Sequence, residues 1–194
     1  MSDPPPETLP ELSVGMAASL YAAFTAMAVG WAALTDPGLE LLTALPVARV
    51  VPWWAAGAGW GLALVLGSVV SERLVPSVVR MAHELAGMLG PSGWGRAAVL
   101  ALLSGVAEEA LFRGPMQYAF GFAITTVLFA LAHGGLSARY LPWSTFALIA
   151  GGGFGILAGA YESIAPAILA HVLVNLINIR RITRLYGHQP GPDA

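Results

Sequence analysis

Long runs without any charged side chain most constrain what this chain can fold into. Residues 12–35 contain 24 consecutive positions without Asp, Glu, Lys or Arg, and a helix needs about 20 apolar residues to cross the hydrocarbon layer of a bilayer. Only 10% of the chain is charged and 57% is hydrophobic, with a mean hydropathy of +0.71, whereas soluble domains are about 25% charged. The sequence therefore predicts an integral membrane protein.

Six apolar segments are predicted to cross the membrane. They are residues 12–35, 50–71, 97–112, 116–132, 142–161 and 163–179. Because they are long and uniformly apolar, they do not fit the alternating strands of a β-barrel. The predicted fold class is all-α, a polytopic membrane bundle of about six transmembrane helices. The more polar connector, residues 72–96, predicts an amphipathic helix on the membrane surface.

One transmembrane domain is predicted over residues 12–184, with a motif-bearing part at 97–179. Residues 1–11 are acidic and rich in proline, which predicts a disordered N-terminal tail, and residues 185–194 form a C-terminal tail. With six spans, seven of the nine arginines fall on the side of both termini. The positive-inside rule then predicts that both termini are cytoplasmic and that the protein lies in the cell membrane.

The remaining composition excludes several classes of function. A net charge of −2 gives no electrostatic basis for binding nucleic acid. The absence of cysteine from the sequence excludes a disulfide framework, a thiolate nucleophile and a thiolate metal site. The bilayer is the partner that the composition itself predicts.

Three charged residues interrupt the third apolar segment. Glu108, Glu109 and Arg113 lie in the run VLALLSGVAEEALFRG, where each charge costs roughly 2.5–3.5 kcal/mol at a helix centre. Glu109 and Arg113 are four residues apart and can pair on one helix face, whereas Glu108 is rotated from Glu109 by about 100°. Glu108 is thus left free to act as a general base.

Two histidines and an asparagine also lie deep in apolar runs. His133 follows Phe129 in FALAH, and His171 precedes Asn175 in HVLVN. A single histidine in a membrane helix is more often structural than catalytic. His171 and Asn175, however, are four residues apart, so both side chains can donate hydrogen bonds to one oxygen, as an oxyanion hole requires.

These residues form three motifs in order on successive segments. EExxxR covers Glu108, Glu109 and Arg113, FxxxH covers Phe129 and His133, and HxxxN covers His171 and Asn175. The arrangement resembles the CPBP or ABI family of intramembrane proteases, which includes the CAAX prenyl endopeptidases. The resemblance covers roughly the C-terminal half of the chain.

The resemblance implies an endopeptidase that hydrolyses a peptide bond inside the membrane. Glu108 would activate the water with help from His133, and His171 and Asn175 would stabilise the oxyanion. Glu109, Arg113 and Phe129 would support the site. The implied partner is a peptide or membrane-protein substrate. The resemblance does not specify whether that substrate is lipidated.

A metal remains an alternative, because members of the family are often labelled metalloproteases. Glu108, His133 and His171 could supply a His₂Glu zinc set. The metal-free interpretation is favoured. If Glu108 were a metal ligand, it could not also be the general base, and Glu109 could not replace it because Glu109 is paired with Arg113.

Two other functions are compatible with buried acids and histidines. A transporter or proton-coupled carrier uses such groups to relay ions, and ion flux in proteoliposomes without proteolysis would favour it. A catalytically idle immunity or scaffold protein of the same fold is the third hypothesis.

Overall fold

The chain is helical throughout the part that its computed structural model describes, residues 11–35, 38–45 and 51–187. The long helices are α1 (Val14–Ala33), α3 (Trp53–Leu74), α5 (Trp94–Leu111), α6 (Gln117–Gly134), α7 (Leu141–Tyr161) and α8 (Ala165–Tyr186). Two shorter ones are α2 (Gly38–Thr43) and α4 (Pro76–Leu89), and a π-helical stretch, Phe112–Met116, joins α5 to α6. No strand occurs in these ranges, which confirms the predicted all-α class. The two predicted tails lie almost wholly outside the described residues.

Capping and proline chemistry set several helix boundaries. The Ser13 hydroxyl accepts a hydrogen bond from the Met16 backbone N–H at 3.1 Å and begins α1. Pro76, Pro142 and Pro166 occupy the first turns of α4, α7 and α8, where the missing N–H of proline costs nothing. These signals place the helix starts close to the predicted segment boundaries.

The protein is an integral membrane protein by the length and apolar character of its helices. Among the described residues, five helical stretches are long and apolar enough to cross a bilayer: α1, α3, Trp94–Gly134, α7 and α8. The third of these contains both the third and the fourth predicted spans. It is not one straight rod, because the chain folds back within it.

The reversal occurs at Gly121, where φ is 78° and ψ is 167°. Residues before Gly121 contact residues after it, and the partners are closer in sequence the nearer they lie to Gly121. His133 Nε2 lies 3.4 Å from Glu108 Oε2, and nearer to the glycine the Thr125 hydroxyl donates to the Met116 carbonyl oxygen at 3.1 Å. This pattern is that of an antiparallel hairpin. Glycine suits the position because residues with a Cβ rarely adopt such a positive φ.

The chain reversal therefore lies later than the sequence pattern indicates. The predicted third and fourth segments are separated at residues 113–115, where an Arg-Gly-Pro sequence suggests a turn. In the structure the chain only bends at Gly114, whose ψ is −114°, and continues through Pro115 to Gly121. The charged motif consequently lies inside one arm of the hairpin and not at its tip.

Helix α8 is the central element of the bundle, packing along α3 and α5 and also against α4 and α7. Its approach to α3 depends on glycine. A Cβ at Gly57 would lie 2.6 Å from the Pro166 carbonyl oxygen, and one at Gly61 would lie 2.8 Å from that of Ala170. The four-residue glycine spacing in α3 thus permits close helix packing.

Substitution of Gly61 by alanine is expected to destabilise the bundle by about 1–3 kcal/mol, because the new methyl group meets backbone atoms that cannot move aside. Gly59 in the same helix has no atom within 4 Å of an added Cβ. Gly59→Ala is therefore the matched control and should be neutral or stabilising by up to about 1 kcal/mol. Thermal unfolding of both variants in detergent measures the difference, and equal midpoints would contradict the packing argument.

Candidate active site

An ion pair buried in the centre of the bundle holds two residues of the first motif. Arg113 Nε lies 3.2 Å from Glu109 Oε2, and both side chains are 0% exposed. No N–H group of Arg113 forms a well-aligned hydrogen bond with a described residue, so charge holds the pair. Their four-residue spacing predicts this contact.

The second Glu109 oxygen contacts a residue of the third motif. His171 Nδ1 lies 2.7 Å from Glu109 Oε1, and the His171 ring is stacked on Phe154 at 5.0 Å between centroids with 13° between planes. Glu109 therefore lies between Arg113 and His171. The pairing of Glu109 with Arg113 follows from spacing within one helix, whereas the contact with His171 crosses from α5 to α8.

Phe129 holds this layer together from α6. Its ring is 1% exposed and lies below the Arg113 guanidinium, 4.7 Å from its central carbon to the ring centroid. It also meets the rings of His133 at 4.3 Å and His171 at 6.0 Å. The supporting role predicted for Phe129 is thus a packing role that connects all three motifs.

The other motif residues line a cavity of about 610 Å³ beside this layer. Glu108 and His133 face each other there, with Oε2 and Nε2 3.4 Å apart, and Glu108 Oε2 has no hydrogen-bond partner among the described residues. His133 Nδ1 lies 2.8 Å from the Phe129 carbonyl oxygen. Because that oxygen can only accept, Nδ1 carries a proton and Nε2 of the neutral ring is a free acceptor.

The third motif is divided between the cavity and the buried layer. Asn175 lines the cavity and donates from Nδ2 to the Ser104 hydroxyl oxygen at 2.9 Å. His171 is 3% exposed and does not line the cavity. The sequence spacing predicts that both side chains share one oxygen, and in the structure each has its own partner on α5.

Apolar residues from two helices form most of the remaining cavity wall. Val78, Met81 and Leu85 come from α4, while Phe146 and Ile149 come from α7. The amphipathic connector predicted for residues 72–96 is thus α4, and its apolar side covers the cavity. A small group of polar side chains thus lies in a mainly apolar chamber.

The donor set does not fit the zinc site that the resemblance allows. Among the described residues, no group of three His, Cys, Asp or Glu side chains is placed to hold a metal ion. His171 Nδ1 is bonded to Glu109, and its side chain lies behind the cavity that contains Glu108 and His133. No reaction step is therefore assigned to a metal.

Several polar residues of the cavity were not singled out from the sequence, among them Ser104 and Tyr21. Ser104 lies four residues before Glu108 on α5 and bonds Asn175, so helical spacing alone could have identified it. Tyr21 reaches the cavity from α1. Nothing in the sequence near Tyr21 distinguishes it from other interfacial aromatic residues.

Comparison with family models finds one match, to the Type II CAAX prenyl endopeptidase Rce1-like family, over residues 90–177. Comparisons with curated proteins and with solved structures give no match. The matched range contains the EExxxR, FxxxH and HxxxN motifs and the hairpin that brings the first two together. The chain therefore carries an Rce1-like domain over residues 90–177, and the family that this domain matches is one of CAAX prenyl endopeptidases.

Proposed function

We propose that the chain hydrolyses a peptide bond within the membrane and that Glu108 is the general base. The observation that carries this proposal is the juxtaposition of Glu108 and His133 on the cavity wall. Their facing atoms are 3.4 Å apart, and in the described part of the chain Glu108 Oε2 has no hydrogen-bond partner. One water molecule can contact both groups, donating one hydrogen to the carboxylate and one to the imidazole Nε2.

The proposed reaction needs only these side chains and water. The water oxygen attacks the scissile carbonyl carbon while Glu108 takes a proton from the water, giving a tetrahedral intermediate. The C–N bond then breaks, and Glu108 returns the proton to the leaving amine. General acid–base catalysis of this kind contributes about 10²–10⁴-fold to the rate.

Asn175 and His171 are proposed to stabilise the oxyanion of that intermediate. Asn175 is the member of the pair that lines the cavity, and its second Nδ2 hydrogen is available beside the one given to Ser104. His171 could donate to the oxyanion only from Nε2, because Nδ1 is bonded to Glu109. Nε2 donates only when the ring carries both protons, and the Glu109 carboxylate balances the charge of that form.

A peptide carrying a prenylated cysteine is the substrate class proposed, following the description of the matched family. The chamber supports it, because its wall is mainly apolar on the sides of α4 and α7. A lipidated or apolar segment loses little hydration on entering such a chamber, whereas a charged peptide loses much more.

The proposed orientation places both chain ends on the cytoplasmic side of the cell membrane. The segments predicted to share that side are linked by contacts: Arg139 bonds Glu84, and Arg96 bonds the Leu12 and Leu89 carbonyl oxygens. These contacts support a common side, and the excess of arginines assigns it to the cytoplasm.

Replacing Asn175 by alanine is expected to lower kcat by about 10²–10³-fold, the usual effect of removing one oxyanion donor. The assay uses the purified full chain in lipid nanodiscs and a fluorescence-quenched peptide ending in a farnesylated cysteine and three further residues. The matched control is Asn178→Ala, one turn further along α8 in the same cavity, where Asn178 accepts from Ser68 at 3.0 Å.

The control should retain most of the activity if Asn175 acts on the reacting carbonyl. Equal losses in the two variants would indicate a general effect on cavity shape and would contradict the oxyanion assignment. An unlipidated version of the same peptide tests the substrate class, since cleavage at the same kcat/KM would exclude a role for the lipid.

A further inference from the structure

Helix α1 faces the bundle with a stripe of residues spaced three or four apart. The stripe consists of Ala17, Tyr21, Phe24, Ala28 and Ala32. Its three alanines are buried, and Phe24 packs against the hydrophobic core. Because α1 packs along α5, the one hydroxyl in this stripe is directed towards the helix that carries Glu108.

The Tyr21 side chain reaches the cavity beside the polar groups of α5. It lines the same space as Glu108, Ser104 and Asn175, and the groups nearest to its hydroxyl are the Glu108 carboxylate and the Ser104 hydroxyl. A phenol can donate one hydrogen bond, and a carboxylate can only accept. The natural direction of this contact is from Tyr21 to Glu108.

The neighbouring contacts favour Glu108 over Ser104 as the acceptor. The Ser104 hydroxyl donates its hydrogen to the Ala101 carbonyl at 3.3 Å and accepts one from Asn175 at 2.9 Å. A hydrogen bond from Tyr21 to Ser104 would therefore go to a neutral oxygen that already accepts one from Asn175. The ionised carboxylate is the stronger acceptor, because hydrogen bonds to charged groups are about twice as strong as neutral ones.

We propose that Tyr21 is a positioning residue of the hydrolytic site, whose hydroxyl donates to Glu108 and holds that carboxylate opposite His133. The inference rests on the proposed function of Glu108 as the general base. Tyr21 lies outside residues 90–177, the range of the family match. Helix α1 therefore completes a site whose other predicted residues all lie in the matched domain.

Several charged and titratable groups besides Tyr21 surround Glu108. They are Glu109 beside it on α5, Arg113 from the π-helical stretch, His133 from α6 and His171 from α8. A change confined to the Tyr21 hydroxyl leaves all of them in place. A change in the pH profile can then be assigned to the contact between Tyr21 and Glu108.

The test is the pH profile of kcat and KM for Tyr21→Phe, measured on the full chain in nanodiscs with the farnesylated quenched peptide. Without the donated hydrogen bond, the Glu108 carboxylate is no longer held opposite His133, which impairs the reaction step and not the binding of the peptide. Throughout the profile kcat should fall about tenfold, as expected for one hydrogen bond to a charged group, while KM stays unchanged.

The matched control is Tyr161→Phe, which removes a hydroxyl bonded to the Val51 carbonyl at 3.1 Å, away from the cavity. Its profile should match that of the wild type. A kcat that does not fall in Tyr21→Phe, or a KM that rises as much as kcat falls, overturns the proposal, because a loss of packing would change the binding of the peptide as well. Incorporation of 3-fluorotyrosine at position 21, which keeps a hydroxyl donor, should retain the wild-type kcat.

The two proposals fail in different ways. Full activity of Glu108→Gln would contradict the assignment of Glu108 as the general base. The proposed role of Tyr21 would then have no basis. An inactive Glu108→Gln combined with an unchanged kcat in Tyr21→Phe would leave the hydrolytic proposal standing and overturn only the positioning role.

Discussion

Glu108→Gln is expected to lower kcat/KM by about 10²–10⁴-fold, the range that general acid–base catalysis supplies. Glutamine keeps the shape of the side chain but cannot take a proton from water. The substitution should not impair folding, because Glu108 is only 7% exposed and its Oε2 forms no hydrogen bond with any residue that the structure describes. A neutral amide costs less than a carboxylate in such a place.

The neighbouring residue provides the sharpest control for this prediction. Glu109→Gln changes the same chemical group one position along α5, but Glu109 contacts Arg113 and His171 and does not line the cavity. Its main effect should be on stability. Steady-state cleavage of the farnesylated peptide and thermal unfolding, measured on both variants, separate the two roles, and full cleavage by Glu108→Gln would contradict the proposed mechanism.

Arg113→Met is expected to destabilise the protein by about 3–5 kcal/mol, the usual cost of leaving one member of a buried ion pair without its partner. The Glu109 carboxylate is 0% exposed and would keep only His171 as a partner. Methionine fills a similar volume and can still pack on Phe129, so the loss is mainly one of charge. Thermal unfolding in detergent micelles at fixed lipid content measures it.

A second substitution tests the assignment to charge. In the double variant Arg113→Met with Glu109→Gln, no uncompensated carboxylate remains at the pair, so much of the lost stability should return. The exposed pair of Arg139 and Glu84 gives the surface comparison, and Arg139→Gln should change stability little because water screens such pairs. A double variant no more stable than Arg113→Met would contradict the ion-pair argument.

Much of the helical architecture follows from hydropathy alone. The uncharged runs at residues 12–35, 142–161 and 163–179 lie over α1, α7 and α8, because a membrane helix must be apolar along its whole length. The hairpin could not be predicted as well, since both a turn at residues 113–115 and a turn at Gly121 suit the same hydropathy. Only backbone geometry and packing against α7 and α8 distinguish them.

In the site, too, contacts within one helix can be predicted from the sequence, whereas contacts between helices cannot. The pairing of Glu109 with Arg113 follows from helical spacing, since the helix continues from α5 into the π-helical stretch. The contact from Glu109 to His171 spans 62 positions in the chain, and the approach of Tyr21 to Glu108 depends on how α1 docks on α5. Such contacts are set by helix packing, which a single sequence does not specify.

The reversal at Gly121 also bears on how the protein is built into its bilayer. Without it, the 41 residues Trp94–Gly134 would form a rod about 60 Å long, roughly twice the thickness of the hydrocarbon layer. With it, this stretch fits the layer as one compact unit that already carries Glu108 opposite His133 and Glu109 beside Arg113. Much of the polar cluster thus comes from one continuous stretch of the chain, and α8 then adds Asn175 and His171.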